Sequence, residues 1–162
     1  MNDPVKFTLS DPVHLVALGF GSGLLKPAPG TWGTLAAVPF YLVAVAWLPA
    51  TLPAYLAFIL LSFVVGVYVC GKTASDVGAH DHGSIVWDEF VGLFITLIAV
   101  PPTWLNVVVG FVLFRIFDIL KPWPIKLLDR HVHGGFGIMI DDVLAGVFAG
   151  LILFFAQPYL TF

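Results

Sequence analysis

Charge is what this 162-residue chain has least of. Asp, Glu, Lys and Arg together make 10% of it, against 59% hydrophobic residues. Soluble domains carry about 25% charged and about 45–50% apolar residues. A mean hydropathy of +0.99 points the same way, so the sequence reads as a membrane protein. With one cysteine, Cys70, the chain cannot close a disulfide on itself. A basic block is also missing and the net charge is −3, which argues against a nucleic-acid partner. The opening MNDPVKFTLSDP has two prolines, two aspartates and no apolar core, so it does not read as a signal peptide and insertion is expected to use internal segments.

The charge-free runs set out the helices. Residues 27–71 contain no Asp, Glu, Lys or Arg, and Pro49 and Pro53 interrupt them. Proline disfavours helix interiors, so a hairpin of helices near 34–48 and 53–71 is expected. A second uncharged stretch, 90–114, is split by Pro101 and Pro102, which predicts helices near 86–100 and 103–119. Pro122 and Pro124 stop the latter. A last helix is expected from about Asp141 to Gln157, ahead of Pro158. Several of these span about 15–17 residues, or roughly 23–26 Å, short of the roughly 20 residues that cross a bilayer core. The expected fold class is therefore all-α: a compact multi-pass membrane bundle of about five main helices in a single domain, with residues 1–18 as a lead-in and some spans shallow.

The polar residues fall on one side of this plan. The turns at 49–53 and 100–103 and the C-terminal tail carry no charge, whereas every Lys, Arg, Asp, Glu and His lies in the N-terminal segment, in 72–89 or in 115–142. If five helices alternate, these three segments share one membrane face. All 7 Lys and Arg residues would be there, and the positive-inside tendency makes that face cytoplasmic.

Four polar stretches carry candidate chemistry. In GSGLLKPAPGTWGT (21–34), Thr31 or Thr34 could cap the following helix, and its N-terminus with Lys26 nearby would suit a phosphate; an ordinary capped lead-in is the plainer account. In DVGAHDHGSIVWDEFVG (76–92), Asp88 and Glu89 open a helix. Carboxylates suit a hard divalent cation, and Mg²⁺ typically takes one or two of them plus substrate phosphate; complementing the helix dipole would also explain acids there. A zinc site from His80, Asp81 and His82 lacks a thiolate or a distant third histidine. In FRIFDILKPWPIKLLDRHVHGG (114–135), Arg115 and Asp118 share a helix face, with Lys121, Lys126, Asp129, Arg130, His131 and His133 following; the histidines are candidate proton shuttles or solvated loop residues. In GIMIDDVLAG (137–146), Asp141 could cap a helix, but an adjacent Asp142 points roughly 100° away. One partner cannot easily satisfy both, and the acid pairs Asp88–Glu89 and Asp141–Asp142 look like opposing walls of a metal site.

GVYVCGKT (66–73) matches the phosphate-loop pattern by letter. That motif needs a loop after a strand, whereas here Val67–Cys70 continue an apolar helix. Cys70 as a phosphatase nucleophile lacks a basic loop directly after it.

Taken together, GLLKPAPGTWGTLAAVP, IVWDEFVG and FRIFDILKPWPI…DRHVHGGFGIMIDDVLAG resemble the phosphatidylglycerophosphatase A family over about residues 19–150. The resemblance implies a small bacterial all-α membrane enzyme, and with the charge map it is expected in the inner membrane with its active site toward the cytoplasm. It would remove the phosphomonoester of phosphatidylglycerophosphate in phospholipid biosynthesis and require Mg²⁺. By motif match, Lys26, Thr31, Asp88, Glu89, Arg115, Asp118, Lys121, Asp129, Asp141 and Asp142 are expected in the polar site. Asp88, Glu89, Asp141 and Asp142 are expected as metal ligands, Lys26, Thr31, Arg115 and Lys121 as phosphate binders, and Asp118 as a base or as the residue that orients Arg115. Direct attack of water on phosphorus and a covalent aspartyl-phosphate both remain open. Two other classes stand beside the enzyme reading: a small transporter or channel, which would spread charges through the helices at mid-depth, and a non-catalytic membrane scaffold.

Overall fold

The computed structural model describes residues 6–48, 50–79 and 82–160, and among them every regular element is helical. The order is α1 (Pro12–Ala17), a 3-10 turn (Gly19–Leu24), α2 (Pro29–Trp47), α3 (Leu52–Val77), α4 (Trp87–Thr96), α5 (Trp104–Leu120), α6 (Ile125–His131) and α7 (Gly134–Leu160). The five expected helices correspond to α2, α3, α4, α5 and α7; α1, the 3-10 turn and α6 are additions. Three of them, α2, α3 and α7, are long and apolar enough to cross a membrane. The 10 residues of α4 reach about 15 Å, so it is a short inserted helix.

Several boundaries differ from expectation for local physical reasons. α2 begins at Pro29, five residues earlier than predicted, because proline's fixed φ suits the first helical position. Its cap residue is Ala28 in a left-handed conformation, and no side chain caps the helix. Thr31 and Thr34 are therefore not caps but lie within the helix, Thr34 Oγ1 donating back to Gly30 O at 2.8 Å. α3 continues past Gly71 to Val77 and ends at a left-handed Gly78, so the G-x-x-x-x-G-K-T match lies wholly inside a helix. α4 ends at Thr96, several residues before the prolines at 101 and 102. α5 begins where expected, its first turn capped by Thr103 Oγ1 accepting from Asn106 N at 3.3 Å.

The largest displacement is in α7. It starts at Gly134 and runs to Leu160 with Pro158 inside its last turn. Asp141 is thus eight residues into the helix and is not its cap. An interior acid has no free N–H groups to accept from, so its partner must come from another element.

α7 is the central element, packed against α3, α4, α5 and α6. Close approach is made by glycine: a Cβ at Gly146 would come within 2.5 Å of Gly92 O, so α4 and α7 touch backbone to backbone. Thr96 Oγ1, hydrogen-bonded to Gly92 O at 2.9 Å, reaches Gly146 O at 3.4 Å across the same contact. Trp87 Nε1 donates to Ser62 O at 2.9 Å and ties α4 to α3. Around this joint a core of Phe90, Phe94, Leu93, Met139 and Leu153 is fully or almost fully buried. The outer surface is apolar too: Leu60 and Leu61 on α3 are each 63% exposed and Phe155 on α7 71%, as expected of faces solvated by lipid tails.

Candidate functional site

The alternating helices gather the polar residues at one end. The first turn of α2, the last turns of α3 and α5, the start of α4, α6 and the first half of α7 meet there. Two adjacent clusters form, and the neighbouring aspartates of α7 are divided between them.

The first cluster joins α4, α5 and α7. Asp88, Glu89 and Asp142 each offer a carboxylate oxygen, and these oxygens lie within 4.8 Å of one another. Glu89 and Asp142 are buried and Asp88 half-buried. Arg115 NH1 lies 2.5 Å from Asp118 Oδ2, 3.6 Å from Glu89 Oε1 and 3.4 Å from Thr34 Oγ1. A Cβ on Gly30 would strike Glu89 Oε1 and come within 3.0 Å of both terminal nitrogens of Arg115. The open side of Gly30 therefore lets the uncapped N-terminus of α2, which carries partial positive charge, press against the guanidinium.

Asp118 and Glu89 thus share one guanidinium, and Asp88 and Asp142 gather beside Glu89. Among the described residues, Glu89 Oε2, Asp142 Oδ2 and Arg115 Nε are buried with no hydrogen-bond partner. Buried acceptors and donors left in this state cost about 1–3 kcal/mol each, and more when charged. In native proteins such groups are few, and a catalytic role or an ion that completes them is among the reasons they are kept. Unsatisfied carboxylate oxygens facing one another fit a hard divalent cation, and an unsatisfied guanidinium N–H fits an anionic oxygen.

The second cluster joins α5, α6 and α7 through Lys121. Its Nζ lies 2.6 Å from Asp129 Oδ1 and 2.6 Å from Asp141 Oδ2. Lys121 itself has a left-handed backbone, φ 42°, at the end of α5. Burial would lower the Lys121 pKa, but its bonds to Asp129 and Asp141 outweigh that and hold it above the ordinary lysine value. Asp141 consequently lies outside the three-carboxylate group, and Lys121 is engaged by acids rather than presented as an open cation.

The other expected residues are placed more loosely. Lys26 is exposed on the lead-in to α2 and forms no ion pair among the described residues. Thr31 is half-buried in the first turn of α2. His80 and Asp81 lie outside the described residues, and His82 Nδ1 accepts from Ser84 N at 3.2 Å. Cys70 is fully buried, its Sγ 4.0 Å from Met139 Sδ, which leaves no access for a substrate phosphorus. Gly30 and Thr34 are contributors that reading by motif did not place beside Arg115. Their i, i+4 spacing puts them on one face of α2, but only if the helix is known to begin at Pro29.

Known proteins resemble the chain closely. The family model of phosphatidylglycerophosphatase A matches residues 15–157. The chain belongs to the phosphatidylglycerophosphatase A family. A phosphatidylglycerophosphatase A of Haemophilus influenzae is 50% identical over 161 residues, covering 98% of each chain. That of Escherichia coli K12 is 54% identical over 151 residues, covering 93% of this chain and 86% of its own. A Bacteroides thetaiotaomicron protein provisionally named a phosphatidylinositol-3-phosphatase is 38% identical over 148 residues, 88% of this chain and 92% of its own. No solved structure matches. As a member of this family the chain is a membrane lipid phosphatase, a phosphoric monoester hydrolase, and the transporter and scaffold readings fall away.

Proposed function

We propose that the protein hydrolyses the phosphomonoester of phosphatidylglycerophosphate to phosphatidylglycerol and phosphate, with Mg²⁺ held by Asp88, Glu89 and Asp142. The observation that carries the reading is the three-carboxylate group whose buried oxygens Glu89 Oε2 and Asp142 Oδ2 lack partners beside a guanidinium with a free Nε–H. Its position at the polar end of an apolar bundle suits a substrate whose tails stay in lipid while its phosphate enters the cluster.

Bound there, Mg²⁺ supplies neutralisation of the acids and electrostatic stabilisation of the charge that builds on the phosphoryl oxygens. The chain's own groups do the rest. Arg115 takes a phosphoryl oxygen through Nε, while Asp118, Glu89 and Thr34 fix the orientation of the guanidinium through NH1. Lys26 and the N-terminus of α2 add positive potential, and Thr31 adds a hydroxyl that can donate to a phosphoryl oxygen. Water attacks phosphorus as the bond to the glycerol oxygen breaks. The attacking water gives up a proton and the departing alkoxide gains one, with Asp118 the acid nearest Arg115 to mediate this. Lys121 ties Asp129 and Asp141 together, which fixes the register of α7 and so the aim of Asp142; this role replaces direct metal ligation by Asp141. All 7 Lys and Arg lie in the segments of the polar end, and the positive-inside tendency places that end in the cytoplasm of a bacterial inner membrane.

The test is phosphate release by the purified protein from phosphatidylglycerophosphate, with Mg²⁺ and after chelation. Release that stops on chelation and returns with Mg²⁺ is expected. Full activity in chelator would overturn the metal assignment, and no release from phosphatidylglycerophosphate alongside release from another lipid phosphomonoester would overturn the substrate.

A further inference from the structure

Outside the catalytic clusters, α6 has an outward face that none of this chemistry uses. Ile125 is fully buried, Leu128 is half-buried and Asp129 reaches Lys121, so 125, 128 and 129 turn inward. Lys126, Leu127 and Arg130 turn outward and are exposed, as their i, i+1, i+4 spacing on a helix requires. Neither Lys126 nor Arg130 bridges to a carboxylate among the described residues, in contrast to Lys72, Arg115 and Lys121, each of which is paired with one. The apolar neighbours are as exposed: Leu120 at 71% and Trp123 at 80%. They continue the lipid-facing surface at the end of α5.

An exposed tryptophan at the end of a lipid-facing helix is at home in the interfacial layer. Two unpaired cations beside it then fall at the depth of the phosphates. We infer that the outward face of α6, with Trp123, is a docking surface for anionic phospholipid headgroups of the membrane in which the protein sits. Charge decides the occupant. Cations next to an anionic lipid surface are attracted to it, their aliphatic stems lie along the apolar rim, and the salt bridge from Asp129 through Lys121 to Asp141 fixes this face beside α7. The surface would raise the local concentration of anionic lipids at the mouth of the site. The inference does not depend on the reaction assigned above.

The experiment uses the whole protein reconstituted in phosphatidylcholine bilayers with a trace of spin-labelled phosphatidylglycerol or spin-labelled phosphatidylcholine. Electron spin resonance reads the fraction of label immobilised on the protein, so no catalysis is required. The parent protein is expected to immobilise the anionic label about fivefold or more over the zwitterionic one, the preference that a single surface cation confers. Lys126→Gln with Arg130→Gln should remove most of that excess, as should salt of about 0.5 M, which shortens the Debye length to several ångströms. Equal immobilisation of both labels by the parent, or an excess that keeps more than half its value in the double variant, overturns the inference. Two other occupants are separated by further measurements. Displacement of the anionic label by inorganic phosphate at constant ionic strength would make the face a free-phosphate site. A drop in protein mass on substitution, read by light scattering of the whole protein in detergent, would make it a contact with a second copy. Either result also overturns lipid docking.

Discussion

The two ends of the bundle are made from the same helices, yet they treat buried polar groups in opposite ways. At the uncharged end, Asn106 Nδ2 donates to Pro101 O at 2.8 Å and Gln157 Nε2 donates to Asn106 Oδ1 at 2.8 Å, joining α5 to α7. Tyr55 OH donates to Phe94 O at 3.0 Å and joins α3 to α4. A cavity of about 300 Å³ there is lined mainly by apolar side chains and includes Tyr41, Tyr55, Leu97 and Val100. Every one of those polar contacts closes a helix end or a helix pair. At the charged end, carboxylates converge from separate helices and leave Glu89 Oε2 and Asp142 Oδ2 unpartnered. The polar groups named at the uncharged end are satisfied by the protein itself, whereas these buried carboxylate oxygens find no partner among the described residues.

The sharpest way to break this contrast is at Asp142. Asp142→Asn should lower phosphate release by more than the about 10–100-fold that losing a supporting partner of a metal ligand costs. In chelator it should also raise the thermal midpoint, because it removes a charge repelled by neighbouring acids. Calorimetry beside the phosphate assay checks both, and a fall in both would make Asp142 a structural residue. Arg115→Ala comes next. It should cost about 10²–10³ in rate through the lost phosphoryl contact, and it should destabilise the protein by about 3–5 kcal/mol, since Asp118 and Glu89 lose their buried partner. Denaturation in detergent with and without Mg²⁺ measures the second effect.

Lys121→Ala should cost about 2 kcal/mol, the scale of hydrogen bonds to charged groups, trimmed by the lysine's partial exposure. Its folded pKa lies above the ordinary value of 10.5, so its contribution is complete below that value and fades only as pH rises beyond it. The difference in stability between parent and variant should therefore be the same at pH 6 and pH 9. A difference that shrinks across this interval would show that the ammonium is not held by Asp129 and Asp141. At the uncharged end, Gln157→Ala should cost about 1 kcal/mol and leave the rate unchanged within about twofold. A large rate loss there would erase the distinction between the two ends.

How far the sequence could be read depended on the kind of signal. The alternation of charge-free runs with Pro49, Pro53, Pro101 and Pro102 was enough to place α2, α3, α4, α5 and α7 and to send the charges to one end. The motifs carried the chemical class, which the family match bears out. Helix starts were less legible. Asp141 looked like a cap because acids are common there, but Gly134–Met139 are also compatible with helix once they pack against α3 and α4, and the cap reading failed. The same early start hid Gly30 and Thr34, whose value depends on a backbone that begins at Pro29.

The sequence alone determined that this chain is built for a membrane, that its charged groups share one end, and that they are acids mixed with a few cations. Hydropathy and proline placement fix those things locally, residue by residue. Only the tertiary structure decided which acid meets which cation. Asp141 and Asp142 are neighbours in the chain, but successive residues of a helix point about 100° apart. What each meets therefore depends on the helices packed on either side of α7: Lys121 from the end of α5 for Asp141, and Asp88 and Glu89 from α4 for Asp142.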